Sequence, residues 1–493
     1  MSLIFLIIYF ALLFFLVRGN SKHTSVAEYF FAKRRLPFWA LSITFVASWW
    51  GAGSALSTAD MAYEEGISAF WYYGVPVLIA SAAIFFIASA VRRVGYLSQG
   101  EMISARYSSV CAKCVSVLIL VFMTFSAASQ VVGAGDFIGS QLGLSYETAA
   151  LLTTAVVLAY SMFGGFRGVV LTDILQFVFL LISAIIVFVV ALNISGGFEN
   201  IQIAAQASNK DNFFSFYDGA VKYLPYVITF GCSWAIQANV WQRISAARNE
   251  GDAKKMTALS FFIYIPLYLI VVLTGMCAIT MYDSMPQGGI IPAIVHDYIP
   301  GVAGSLVFVG LSAAIMSTMD SLINTAAMTV SLDLCKESKN SNEEFPASKR
   351  PAKLKSQIFI SRLATLTVGV VAIVVALGIR DILEISRIAS NIITCGVFVP
   401  LLLGFVWRRG NSKGALASII CGAAYSFLGL FASLAAVPLP LLFETGSASQ
   451  LLIGVGLSLL AYVLTSLLTP PEYEKADSFI AKARGAKKQN LPQ

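Results

Sequence analysis

From Leu3 to Leu468 the chain returns repeatedly to runs of about 20 residues with almost no charge, the length a helix needs to cross a bilayer's hydrocarbon. The runs lie at 2–17, 37–63, 67–90, 112–139, 146–163, 168–193, 216–241, 257–281, 303–334, 358–379, 382–407, 414–436 and 449–469. In lipid every backbone polar group must be satisfied within the chain, so such runs fold as helices. The expectation is an all-α polytopic membrane protein with about 13 transmembrane helices. Residues 2–17 resemble a signal peptide in length. They lack a basic start and a small-residue cleavage site before Arg18, which makes them a retained span.

Composition narrows the function. With 58% hydrophobic and 12% charged residues the chain has about half the charge of a soluble protein. The longest hydrophilic segments are Lys336 to Ser356 and the C-terminal tail, each too short for a kinase, cyclase or nucleic-acid-binding module. The net charge of +7 is scattered through loops rather than gathered into a patch, so no nucleic-acid partner is expected, and no obligate protein partner is evident. The seven cysteines lie mostly in apolar runs, and Cys111 and Cys114 form a lone CxxC. His23 and His296 sit far apart in loops, so neither a metal centre nor a triad assembles, and the chain is not an enzyme.

Orientation follows from Lys and Arg in alternate loops. With the N-terminus outside and the C-terminus cytoplasmic, the inner segments receive Lys33 to Arg35, Arg92, Arg93, Arg243, the 336–355 cluster, Arg408, Arg409 and the basic tail. The outer ones receive only Lys210, Lys222, Arg380 and Arg387, an asymmetry of about seven to one over the whole chain. This many spans without a soluble motor is the size of a secondary transporter in a plasma (bacterial inner) membrane. An ion channel and a membrane-embedded sensor are the alternatives. Channels need symmetric pore-lining charge, and a sensor needs an output domain; neither is visible.

A broken helix survives in a membrane only where protein or a water-filled cavity covers the freed backbone, so breaks mark sites. The second run reads Ala47-Ser48-Trp49-Trp50-Gly51-Ala52-Gly53-Ser54. Its small residues suit close helix packing, or an unwound stretch whose carbonyls bind a cation. The seventh run carries a similar feature at Gly231-Cys232-Ser233-Trp234, followed by Gln237, Asn239 and Gln242-Arg243. Five spans separate the two, the relation expected of two inverted five-helix repeats.

Polar groups recur in the ninth run, where Ser317, Asp320, Ser321 and Asn324 share one helix face with Thr318 on its flank. An aspartate at mid-membrane costs about 2.5–3.5 kcal/mol and needs a partner. Asp173 is a second such carboxylate. Two carboxylates with no nearby buried Lys or Arg point to a mobile cation; alternatively, Asp173 snorkels to the interface and pairs with Arg167. Hydroxyls, carbonyls and carboxylates suit alkali or alkaline-earth ions. Trp49, Trp50, Trp71, Tyr72, Tyr73 and Trp234 supply aromatic surface, with Phe70 to Tyr73 equally readable as an interfacial belt. A deep Trp wall suits a quaternary ammonium.

Together, Ala47 to Gly53, the Gly-Gly-Phe-Arg-Gly-x-x-x-Thr-Asp stretch at 164–173, Gln242-Arg243, Met316-Ser317-Thr318 with Asp320-Ser321, and Trp407-Arg408-Arg409 resemble the sodium:solute symporter family. That family includes proline, sialic acid, sugar and choline transporters. The resemblance implies a LeuT-type five-plus-five inverted repeat with one extra N-terminal and two extra C-terminal helices. It divides the chain into residues 1–36, a core at 37–407 with repeats near 37–193 and 216–407, C-terminal helices at 408–470, and a basic tail at 471–493. It also implies a sodium symporter importing a small organic solute by alternating access, with sodium held by Ala47, Trp50, Ala314, Ser317 and Thr318. A second sodium would use Asp173, Ser317, Asp320 and Ser321. The expected solute-facing residues are Trp49, Gly51, Ser54, Trp71, Tyr72, Gln130, Trp234, Gln237 and Asn239, for a choline-like cation, proline or another amino acid.

Overall fold

The computed structural model describes residues 1–18, 26–335, 350–434 and 447–485, all helical or irregular, with no strand among them. Helices occupy each of the expected apolar runs. They are α1 (Ser2–Arg18), α2 (Phe38–Trp49), α3 (Thr58–Glu65), α4 (Gly74–Val94), α5 (Ser109–Leu142), α6 (Tyr146–Ser195), α7 (Leu224–Ala235) and α8 (Ala238–Ala246). There follow α9 (Glu250–Cys277), α10 (Ile290–Tyr298), α11 (Gly301–Thr329), α12 (Arg350–Gly378), α13 (Ile382–Ile393), α14 (Val399–Leu403), α15 (Ser412–Leu434), α16 (Ala448–Leu468) and α17 (Tyr473–Arg484).

At 1.5 Å per residue, the unbroken rise of α6 would be about 75 Å, more than twice the hydrocarbon thickness. Gly165 divides it, with φ 54° and ψ −169°, a conformation that only glycine adopts freely. The two halves therefore make separate spans, as the sequence placed them.

The centre of the protein is α11. In its most apolar stretch 83% of residues are buried, against 28% for α16 at the periphery. Its small residues permit this: Gly310 lies so close to Phe179 and Ser183 of α6 that a methyl group there would collide with both. Around α11 pack α1, α2, α5 and α6. On the opposite side α1 presents Ile4, Ile8 and Phe15 outward, the surface a lipid-facing helix requires.

Two interruptions lie beside this centre. In the second run α2 ends at Trp49 and the chain turns at Trp50 (φ −89°, ψ 73°), then resumes through a wide helical turn at Gly53–Ser57 into α3. The seventh run breaks elsewhere than expected. Gly231 to Trp234 remain helical within α7, and the chain extends at Gln237 (φ −66°, ψ 123°) before α8. Glycine weakens a helix without ending it. Here the end comes where Trp241 Nε1 and Gln99 Nε2 take the carbonyls of Ala235 and Ile236, at 3.0 and 2.7 Å.

The described part of the tail is also more ordered than a basic segment suggests. Ala476, Phe479, Ile480 and Ala483 recur at helical spacing and are buried, with Phe479 against Tyr96 and Phe405.

Candidate ion and solute site

The carbonyl of Ala47 is the focal oxygen. Trp50 N–H closes the last turn of α2 on Val46 (3.0 Å), and the Ala47 carbonyl beyond it accepts from Ser317 Oγ at 3.1 Å and Thr318 Oγ1 at 3.0 Å. The same hydroxyls reach the Ala314 carbonyl at 2.9 and 3.4 Å. Ala47, Ala314 and Ser317 are fully buried. Four oxygens from a broken helix and from the centre of α11 thus converge in the interior. Trp50 stands at the break with its ring on Tyr268, 4.7 Å between centroids.

The residues expected to hold a second ion are divided. The reading that no buried basic residue lies near the two carboxylates is wrong: Arg243, assigned to a cytoplasmic loop by charge counting, is fully buried. Its Nη2 lies 3.5 Å from Asp173 Oδ2 and 2.7 Å from Ser321 Oγ, and Nη1 donates to the Asn239 carbonyl at 2.8 Å. Thr44 completes the cluster, bonding Asp173 through its hydroxyl while accepting from Arg243. Asp320 faces Ser161 instead (2.5 Å), and Ser317 belongs with Ala47. Arg167 is exposed, so the snorkelling alternative for Asp173 also falls. The error has a physical origin. Charge counting assumes that a span ends in water, whereas α8 continues through the interior after the break and carries Arg243 with it.

Beside the Ala47 cluster lies a cavity with about 50 Å³ of open space, sharing Thr318 with it and lined also by Ser48. Trp49, Gly51, Ser54, Gln130, Trp234 and Gln237 line it as expected. Trp71, Tyr72 and Asn239 do not. Trp71 Nε1 donates to the Phe216 carbonyl (2.9 Å), Tyr72 packs on Tyr226, and Asn239 Oδ1 accepts from Val240 N–H in the first turn of α8. The turn at Gly66–Trp71 is a tight helix, which points Trp71 to the loop at 213–216 and leaves Tyr73 to take the inner position beside Trp234. Sequence reasoning passed over Ser386 and Ser390 on α13, which also line the cavity; their four-residue spacing on one face of an apolar run was the available signal.

None of the described residues lining it is charged. Gln130 Oε1 accepts from Ala52 N–H at 2.9 Å, holding the chain where helical geometry resumes, and a methyl group on Gly51 would collide with that amide. Among the described residues, Trp49 Nε1 and Gln237 Oε1 are buried polar atoms of this lining that have no protein partner. The first is a donor and the second an acceptor.

The family model described as the sodium:solute symporter family matches residues 29–422. The chain is 28% identical to the high-affinity proline transporter PutP of Bacillus subtilis over 371 residues, covering 74% of each chain. It is 27% identical to the osmoregulated proline transporter OpuE of the same organism, over 74% of this chain and 72% of that one. The sodium/pantothenate symporter of Escherichia coli is 23% identical, over 85% and 87%. Among solved structures, a substrate-bound, outward-open sodium-coupled sialic acid symporter aligns with a TM-score of 0.78 at 18% identity, covering 95% of this chain and 98% of that one. Mhp1, a nucleobase-cation-symport-1 family transporter, aligns at 0.53 and 13%, covering 95% and 100%.

Proposed function

The chain belongs to the sodium:solute symporter family and has the LeuT-type fold of an integral membrane transporter; from that premise we propose that it imports a small zwitterion, with proline as the leading solute, using sodium bound at Ala47. The supporting observation is the convergence of Ser317 and Thr318 on the Ala47 carbonyl. A hydroxyl can rotate, turning its proton away and its lone pairs inward. These oxygens, with the Ala314 and Trp50 carbonyls, then form a hard-donor set of the kind sodium takes.

Sodium bound there ties α2 to α11 beside the solute cavity. Because the two ligands share Thr318, each raises the affinity of the other by the same factor. For the solute, a zwitterion offers a carboxylate to the Trp49 Nε1–H donor and an ammonium to the Gln237 Oε1 acceptor, and needs no charged partner. A choline-like cation has no carboxylate for Trp49. The rings of Trp49, Tyr73 and Trp234 pack on one another at 5.4–5.8 Å instead of standing apart as a cage.

In this reading the repeats are 37–193 and 216–407, flanked by 1–36, 408–470 and 471–493. The N-terminus lies outside a bacterial inner membrane and the C-terminus in the cytoplasm. The basic excess on one side persists when Arg243 is moved to the interior. Uptake of radiolabelled proline and choline into proteoliposomes under sodium, potassium and proton gradients tests the proposal. Sodium-driven proline accumulation is expected; accumulation of choline alone, or uptake indifferent to sodium, overturns it.

A further inference from the structure

We propose that the C-terminal helix α17 is a strap: it joins the two bodies between which the solute cavity lies, and it has to detach before the cavity can open on the tail's side of the membrane. The two bodies are defined by their own bonds. In one, Arg92 Nε donates to the Ala247 carbonyl (2.7 Å) and Arg93 Nε to Glu250, which ties the end of α4 to α8 and α9. In the other, Arg106 donates to the carbonyls of Gly404 (3.0 Å), Trp407 (2.9 Å) and Gly410 (3.0 Å), and Tyr107 to that of Pro400 (2.9 Å). These bonds tie the segment before α5 to α14 and the turn after it. Gln237, just before α8, faces the cavity from the first body, while Gln130 of α5 and Ser390 of α13 face it from the second. A transporter of this fold opens by moving such bodies apart on one side at a time.

The 12 residues of α17 are fastened to each body. Phe479 stacks on Tyr96, just beyond α4, with 6.3 Å between centroids, and meets Phe405 of the second body at 5.1 Å. Arg93 Nη1 also reaches the Ala483 carbonyl (3.2 Å), while Asp477 accepts from Arg408 at 2.6 and 2.7 Å and Lys475 donates to the Tyr107 carbonyl (3.2 Å). Phe405 in turn meets Trp241 of α8 at 6.1 Å, which carries the contact inward to the joint that positions Gln237. The attachment is of a kind that releases. The root of the strap is firm, since Asn411 Nδ2 and Arg409 Nη2 hold the carbonyls of Pro470 and Thr469, each at 2.9 Å. Beyond it α17 is held by one apolar stripe, in which Phe479 and Ile480 are the large members, and by an exposed Arg408–Asp477 pair. Exposed pairs are weak and screened by salt, so this helix undocks more readily than the core it covers.

The test requires no knowledge of the solute. Gln237→Cys places a thiol in the cavity of a full-length chain whose exposed Cys335 and Cys421 are replaced by Ser. Its reaction with a charged, impermeant methanethiosulfonate is timed in sodium-free vesicles, with the reagent on the tail's side and, separately, on the opposite side; the same chain retaining Gln237 gives the background. Adding Phe479→Ala should speed labelling from the tail's side roughly tenfold, the effect of losing one large apolar contact, without speeding it from the opposite side. Asp477→Asn should speed it about twofold at low salt and by less at high salt. An unchanged rate from the tail's side in Phe479→Ala overturns the proposal. So does an equal acceleration from both sides, which is general loosening of the fold and not release of a strap. Should Phe479→Ala fail to fold, Phe479→Leu and Asp477→Asn decide: no acceleration from the tail's side in either overturns the proposal.

Discussion

At Trp49 and again at Ala235 the chain leaves helical geometry inside the protein, and the carbonyls released at the two places meet different partners. Ala47 is met by two hydroxyls, from Ser317 and Thr318. At the other break, Ala235 and Ile236 are met by nitrogen donors, the Trp241 indole and the Gln99 amide, while the Arg243 guanidinium reaches back to the Asn239 carbonyl within α8. An indole, amide or guanidinium N–H cannot present a lone pair to a cation, whereas a hydroxyl can. The first break can therefore open toward an ion while keeping the same neighbours. The second is a fixed joint that holds Gln237 at the solute cavity and Arg243 against Asp173. A helix break in a membrane identifies a place where backbone oxygens are free; the chemistry of the neighbouring donors decides whether an ion can use them.

Changes at the two breaks should therefore separate ion binding from stability. Replacing both Ser317 and Thr318 with Ala removes two oxygens that would face a charge, each contact contributing about 1.5 kcal/mol or more. Half-saturating sodium for uptake should rise roughly a hundredfold, together with a loss of about 1–3 kcal/mol in stability because the buried Ala47 carbonyl is stranded; an unchanged sodium dependence would place the ion elsewhere. Gln99→Leu should affect stability alone. It strands the buried Ile236 carbonyl, costs about 1–3 kcal/mol in stability and leaves half-saturating sodium within about twofold of the native value. A large sodium shift without destabilisation would show that the second break also handles the ion.

Gln237→Ala sits at the fixed joint but faces the cavity. At saturating sodium the solute KM should rise roughly tenfold, the effect of one lost hydrogen bond to a charged ligand. A sodium effect with no change in solute KM would reverse the division drawn here. Lys222→Ala removes an exposed pair with Glu65 far from either break, and thermal unfolding should register about 0–1 kcal/mol with transport unaltered. A transport defect from that change would mean that the outer loop participates in the cycle.

Much of this was open to sequence reasoning because lipid imposes local rules. The spans, the break at Gly165, the interruption after Trp49 and the polar face of α11 follow from length, charge and spacing within single segments. The reading went astray at Gly231, at Trp71 and Tyr72, and most of all at Arg243. In each case the outcome depended on a neighbour distant in sequence: Gln99 for the break, Phe216 for Trp71, and Asp173 with Ser321 for Arg243.

The sequence by itself thus determined that the chain is an all-helical membrane protein, where its helices run and which of them carry hydroxyls and carboxylates into the interior, because hydrophobic length and periodicity act along the chain. Only the tertiary structure decided which oxygens share a site, because α2, α6, α8 and α11 come from four separate stretches and bring Ala47 to Ser317, and Asp173 to Arg243, across gaps that no local pattern spans. A charge that looks solvated beside its neighbours in sequence becomes a buried partner when packing removes its water, and electrostatics in that dry interior then depends on contacts that the order of residues does not contain.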